Sequence, residues 1–254
     1  MKREFPILEF DASASAVLEP SRYNRAIDVA EHCVITFFKD VLDRLAAESR
    51  LRLVKSIPTE IGRHALYEIT VDGRRLALVH PGVGAPLAAG LFESVIARGC
   101  RKFIVCGGAG VLDSSIIAGH TVVLSSAVRD EGTSYHYLPP SRTVEASPAA
   151  TAALEGVLRA RGEPYLVGRS WTTDAIFRET RGKVRLRREE GCLVVEMEAA
   201  AFFAVARFRG VTIGQVVYAG DDVGGEDHDH RDWVKLAEAR DRLFWAAAEA
   251  CLRL

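Results

Sequence analysis

Apolar residues along this chain gather in short runs separated by glycine-rich and charged turns, a rhythm that predicts strands and helices in alternation. Leu66–Val71 and Leu76–His80 flank Asp72-Gly73, a dipeptide suited to a tight hairpin, and predict two paired strands. Lys102–Cys106, Val122–Ala127, Tyr165–Arg169, Val194–Glu196 and Val211–Tyr218 are further runs of strand length. Between them the spacing predicts helices over Ser147–Arg161, Met197–Arg209 and Asp232–Leu254, and a turn with a helix over Gly82–Gly99. Ile27–Leu51 carries helical spacing only in its second half, at Phe37, Val41, Leu42 and Leu45, and the run Cys33–Phe38 suits either element. Strands alternating with helices predict an α/β fold, a three-layer α/β/α sandwich around a central mixed sheet. No linker, repeat or low-complexity tract divides residues 1–254, so a single domain is expected.

Charge excludes some partners. The 33 Lys and Arg residues nearly balance the 34 acidic ones, so no global field draws the chain to nucleic acid or to an anionic membrane. The start, Met1 to Pro6, leads into no long apolar stretch, so neither a signal peptide nor a membrane span is expected. The five cysteines are scattered, odd in number and without a Cys-x-x-Cys pair, which predicts free buried thiols in a reducing cytoplasm.

Chemistry concentrates in Glu196-Met197-Glu198, two carboxylates inside the otherwise apolar run Val194–Ala201. Carboxylates in such a run need hydrogen bonds or a ligand. Glu198 could accept from paired sugar hydroxyls and Met197 could floor a sugar face, or both glutamates could be first-turn charges of a helix. Gly82-x-Gly84 and Gly107-Gly108-x-Gly110 each follow a predicted strand, and suit either tight turns or close approach to a ligand. Asp221-Asp222 closes the strand ending at Tyr218, where catalytic groups of α/β sheets commonly sit. His228-Asp229-His230 lacks a third convincing metal ligand, so no metal is expected.

Five segments in order carry a resemblance: Gly82–Pro86, Phe103–Gly110, Ser126–His136, Thr173–Phe177, and Glu196–Ala200 with Phe203–Gly210. Together they resemble the nucleoside phosphorylase superfamily of purine and uridine phosphorylases and related nucleosidases, Ser126–His136 being most similar to the uridine branch. The resemblance implies cleavage of a nucleoside N-glycosidic bond, with Glu196, Met197 and Glu198 on the ribose and Gly107 and Gly108 beside the sugar and its acceptor. Ile176 and Phe177 would face the base, and Asp222, with Asp221 as the neighbouring alternative, would protonate it as it leaves. Inorganic phosphate is the implied co-substrate, no other cofactor is expected, and a homo-oligomer that completes its sites with a neighbour's residues is implied.

Departures from the family pattern bear on base and acceptor. The Gln-x-Arg pair of uridine-specific members is absent from Arg178–Gly182, which favours a purine-like base. Val105 stands at the phosphate arginine and Gly108 at the phosphate hydroxyl, while the N-terminal segment reads Leu18-Glu19-Pro20-Ser21-Arg22. Phosphate would have to rely on Gly84, Arg22, Arg63 and the Gly107-Gly108 amides acting as an anion nest. Water is therefore an alternative acceptor, and a nucleoside-binding protein without turnover is a third reading.

Overall fold

The computed structural model describes residues 2–254. A helical turn, α1 (Pro20–Tyr23), precedes β1 (His32–Thr36), α2 (Lys39–Ala47), β2 (Arg52–Thr59), β3 (Gly62–Val71) and β4 (Arg74–Val79). Then come α3 (Ala85–Arg98), β5 (Lys102–Val111), β6 (Thr121–Asp130), β7 (Thr143–Glu145), α4 (Pro148–Ala160) and β8 (Tyr165–Thr173). The chain closes with α5 (Arg181–Glu189), β9 (Cys192–Glu196), α6 (Ala199–Arg209), β10 (Thr212–Asp222) and α7 (Ala237–Leu252).

One mixed sheet joins the strands. β2, β3 and β4 form an antiparallel meander, β4 pairs in parallel with β1, and β1 with β5. Beyond β5 the sheet curls back: β5 pairs with β10, β10 with β6, β6 with β8 and β8 with β9. β9 then returns to β5, Val195 opposite Gly110 and Val194 opposite Val111. Closure of this kind leaves no unpaired edge on that side.

Helices cover both faces of the sheet, as the alternating pattern predicts. On one face α3 and α6 pack through Phe92, whose ring meets those of Phe103 and Phe202 edge to face at 4.7 and 5.6 Å. On the other, α2, α4 and α7 enclose Leu45, Ile104, Leu154 and Phe244, all fully buried. Asp72 and Gly73 both take positive φ, +49° and +76°, the backbone that a two-residue hairpin turn matched to strand twist requires.

Besides the short α1 and β7, two longer elements escape the sequence pattern. β2 is largely exposed, with only Ile57 buried, so it shows no apolar run. α5 is mostly Arg and Lys, and buries Arg187 only because Asp130 at 3.1 Å and Glu190 at 2.7 Å neutralise it. The predicted helix starts at Ser147, Met197 and Asp232 all move inward, to Pro148, Ala199 and Ala237. α7 begins at Ala237 rather than Asp232 because Arg231 and Asp232 adopt φ of +49° and +48°, which a right-handed helix cannot contain. No helix among the described residues is long and apolar enough to cross a membrane.

Candidate active site

β9 delivers Glu196 to the start of α6, and this junction explains both glutamates. Glu196 is buried and fully engaged. One carboxylate oxygen accepts from Ser170 Oγ at 3.0 Å and Thr172 Oγ1 at 2.6 Å, and the other from the amides of Glu198 at 2.7 Å and Ala199 at 2.5 Å. Four donors fill the lone-pair positions of a carboxylate. Glu196 therefore braces the turn and caps α6, and offers no free oxygen to a sugar, contrary to the role expected of it. Glu198 differs. Its Oε1 accepts from the Gly84 amide at 2.6 Å, and no side-chain donor bonds to its carboxylate among the described residues. Burial, reinforced by the charge of Glu196, pushes the Glu198 carboxyl up to about 8.

Met197 and Glu198 open onto a cleft of about 480 Å³. Its walls come from β1 and α2 (Phe37–Asp40), from His80 and Val83, from the Gly107–Gly110 stretch of β5, and from Gln215, Tyr218 and Asp221 of β10. Ile176, Glu179, Trp233 and Arg240 complete it. Ile176 and Trp233 supply apolar surface suited to a flat base. Phe177, expected beside Ile176 on the base, is 95% exposed and is not part of this cleft's wall.

The two aspartates that end β10 part company. A register shift against β5 falls between Ala219 and Asp222. As a result Asp221 lines the cleft, its Oδ2 3.0 Å from His228 Nε2. Asp222, expected as the acid, is buried outside the cleft. It pairs with Arg231 at 2.6 Å, accepts from the Gly224 amide at 2.8 Å and exchanges backbone hydrogen bonds with Asp229. Asp222 is thus the anchor of the 223–231 loop, and the cleft carboxylate is its neighbour.

Glu179 is a group the sequence did not single out. Its carboxyl faces the cleft with no hydrogen bond or ion pair among the described residues, and burial together with the charge of Asp221 raises it to about 7. The available sequence signal is an acid between Phe177 and the α5 cap, in the stretch where the Gln-x-Arg pair is absent. Arg240 was missed because α7 brings it back from far along the chain. Its Nε lies 3.3 Å from Tyr218 Oη, and its guanidinium pairs with Asp40 at 3.2 Å. His80 accepts from the Gly82 amide through Nδ1 at 3.1 Å, and burial lowers its pKa, so it is neutral at pH 7.

The expected phosphate groups do not converge here. Val105 is wholly buried in the core. A side chain at Gly108 would meet Tyr218 Cζ at 2.8 Å, and one at Gly107 would meet Phe37 at 2.9 Å. Those rings occupy the room of the family's hydroxyl. Both glycines are extended within β5, neither with positive φ, so they do not form a nest. The Gly84 amide is committed to Glu198. Arg22 is exposed on α1, beside a separate hollow of about 700 Å³ lined by Leu18, Pro20, Glu93 and Tyr137. Arg63 is exposed on β3 and donates to Ser56 Oγ at 2.7 Å. The N-terminal stretch that does reach the cleft is Phe37–Asp40.

His228 turns to Asp221, while His230 lies 6.0 Å from Trp233, and no group of three or more metal-ligating side chains gathers among the described residues. Ser126–His136 also stays out of the cleft. Its Arg129 is buried and ties down the following loop through Ser134 Oγ, Pro139 O and Ser141 Oγ.

A closed strand ring thus carries a Glu-Met-Glu turn that opens on a cleft at the strand ends. The pattern of the phosphorylase superfamily matches residues 31–253, and the chain belongs to that family. Guanosine phosphorylase of Halorubrum lacusprofundi is 29% identical over 172 residues, covering 65% of this chain and 71% of its own. Uridine phosphorylase of Haemophilus influenzae is 25% identical over 161 residues, 58% of this chain and 64% of its own. Among solved structures, purine nucleoside phosphorylase from Toxoplasma gondii superposes with a TM-score of 0.76 at 18% identity, covering 89% of this chain and 92% of its own. AMP nucleosidase from Bacteroides thetaiotaomicron gives 0.70 at 20% identity, with 89% of each chain covered. Both establish the fold.

Proposed function

We propose that this protein cleaves the N-glycosidic bond of a purine-like nucleoside. The observation that carries this reading is that one cleft gathers Glu198 at the head of α6, the carboxyls of Asp221 and Glu179, and the apolar Ile176 and Trp233. Glu198 holds the ribose hydroxyls with Met197 against the sugar. As the bond stretches, positive charge grows on the ribose and draws Glu198 toward its ionised form, so the interaction strengthens in the transition state. Asp221 supplies the proton to the departing base. The missing Gln-x-Arg pair and the guanosine phosphorylase relative support the base class.

Water is the acceptor that the cleft favours. Five carboxyl groups, Asp40, Glu179, Glu196, Glu198 and Asp221, line it against two cations, Lys39 and Arg240. Both cations are already paired, Lys39 with Asp43 at 2.5 Å and Arg240 with Asp40 at 3.2 Å. With Glu198 protonated at neutral pH these carboxyls do not all carry charge, so what a phosphate dianion lacks here is an unpaired cation. Phosphorolysis is the second reading, favoured by the phosphorylase relatives and by Lys39 and Arg240, which could re-pair around an anion. The exposed Phe177 and Arg63 support a homo-oligomer, and five free buried cysteines support a reducing compartment such as the cytoplasm. A role in purine salvage follows from the reaction.

The test is a panel of nucleosides with and without phosphate, following free base and the sugar product. Free ribose at a rate indifferent to phosphate supports hydrolysis. Ribose 1-phosphate formed in proportion to base supports phosphorolysis. Binding without base release would sink the enzyme reading and leave a nucleoside-binding protein.

A further inference from the structure

We propose that Glu179 and Asp221 act together as the acid of the reaction, holding one proton between them and passing it to the departing base. The inference rests on the nucleoside-cleaving reading above and assigns a second group to its proton transfer. Two segments far apart in sequence bring the pair together. Glu179 ends the short 3-10 turn Ile176–Arg178 after β8, and Asp221 ends β10, yet both carboxyls face one cleft beside Ile176 and Trp233. Among the described residues neither is bonded to a lysine or arginine, Lys39 and Arg240 of the same cleft being paired elsewhere. Glu179 has no polar partner among the described residues, and the side chain joined to Asp221 is His228, 3.0 Å away. Glu179 is buried beside the carboxylate of Asp221 and no cation is bonded to either side chain among the described residues, so Glu179 is the group at which the pair keeps a proton. The upward shift of Glu179 to about 7, from burial and the Asp221 charge, agrees with that geometry.

The step balances as follows. The bond between the anomeric carbon and the base nitrogen breaks with its electron pair going to the base, and the proton of the pair goes to another ring nitrogen of the base. An oxygen of the acceptor bonds to the anomeric carbon, and the proton that the acceptor releases restores the pair. His228, more than half exposed and in contact with Asp221, gives that returning proton a route from solvent.

The experiment compares a purine nucleoside with its N7-methylated counterpart, whose base leaves without needing a proton. Glu179→Gln should slow the unmethylated substrate by about tenfold or more, within the range of acid catalysis, and leave the methylated one within about twofold. Turnover of the methylated substrate also shows that the variant folds. Asp221→Asn should show the same selectivity. Because the two carboxyls serve one proton, the double variant should be no more than about threefold slower than the slower single variant. Equal slowing of both substrates by Glu179→Gln, no slowing of either, or losses that multiply in the double variant would each overturn the shared acid. A wild-type protein that releases base while Glu179→Gln is indifferent refutes only this inference. A wild-type protein that releases base from neither substrate refutes the nucleoside-cleaving reading and this one with it.

Discussion

Glu198 is the residue on which most depends, and its chemistry was the most legible part of the sequence because an apolar run leaves a carboxylate few other uses. Glu198→Gln should cut turnover by about 10- to 100-fold, in keeping with loss of a charge-assisted bond, without loss of the folded state by circular dichroism. Its titration gives a second, independent outcome. A carboxyl raised to about 8 is still protonated in the fold where the unfolded chain has ionised. Stability is therefore full below the ordinary carboxylate range and declines as pH rises from there through about 8. Relative to Glu198→Gln, the wild type should lose on the order of 1.4 kcal/mol per pH unit across that interval, read by urea unfolding without ligand. A flat difference between pH 5 and 9 would contradict the burial of this group. The neighbouring aspartates were less legible: a sequence shows two acids in a row, but a register shift decides which one turns inward.

At the scale of elements, the consequence lies in what holds each loop. Asp222→Asn removes the partner of a largely buried Arg231, so it should destabilise the protein by a few kcal/mol, up to ~3–5 for a fully buried pair, while Asp221→Asn leaves the melting temperature nearly unchanged. If the two variants exchange phenotypes, the assignment of the cleft acid is off by one residue. β5 offers a similar contrast. Gly108→Ala drives a methyl group into the Tyr218 ring and should cost ~1–3 kcal/mol, measured as a shift in the urea midpoint at constant slope. Restoring the family's hydroxyl with Gly108→Ser should bring the same loss and no new dependence on phosphate. These contacts were illegible beforehand because each joins positions far apart in sequence, Gly108 with Tyr218 and Asp40 with Arg240. α5 escaped detection for another reason. Its buried face rests on ion pairs of Arg187, and hydrophobic periodicity does not register those.

For the molecule as a whole, alternation of strands and helices was enough to read the layers, but not the return of β9 onto β5, which no local pattern encodes. The cysteines give a global test. All five are buried, and burial holds the thiols of Cys106, Cys192 and Cys251 up at about 12. A thiol reagent at pH 8 should label the native protein negligibly and all five positions once it is unfolded. Rapid native labelling would mean that the core opens easily. The pairing of Lys39 with Asp43 and of Arg240 with Asp40 reaches further than the choice of acceptor, because it leaves the cavity no free positive charge to offer any anion. A neutral nucleoside needs none, whereas a 5′-nucleotide brings a dianion that would lose its water without gaining a partner. The same base and sugar should therefore bind more weakly once phosphorylated, which a comparison of nucleoside and 5′-nucleotide affinities reads directly.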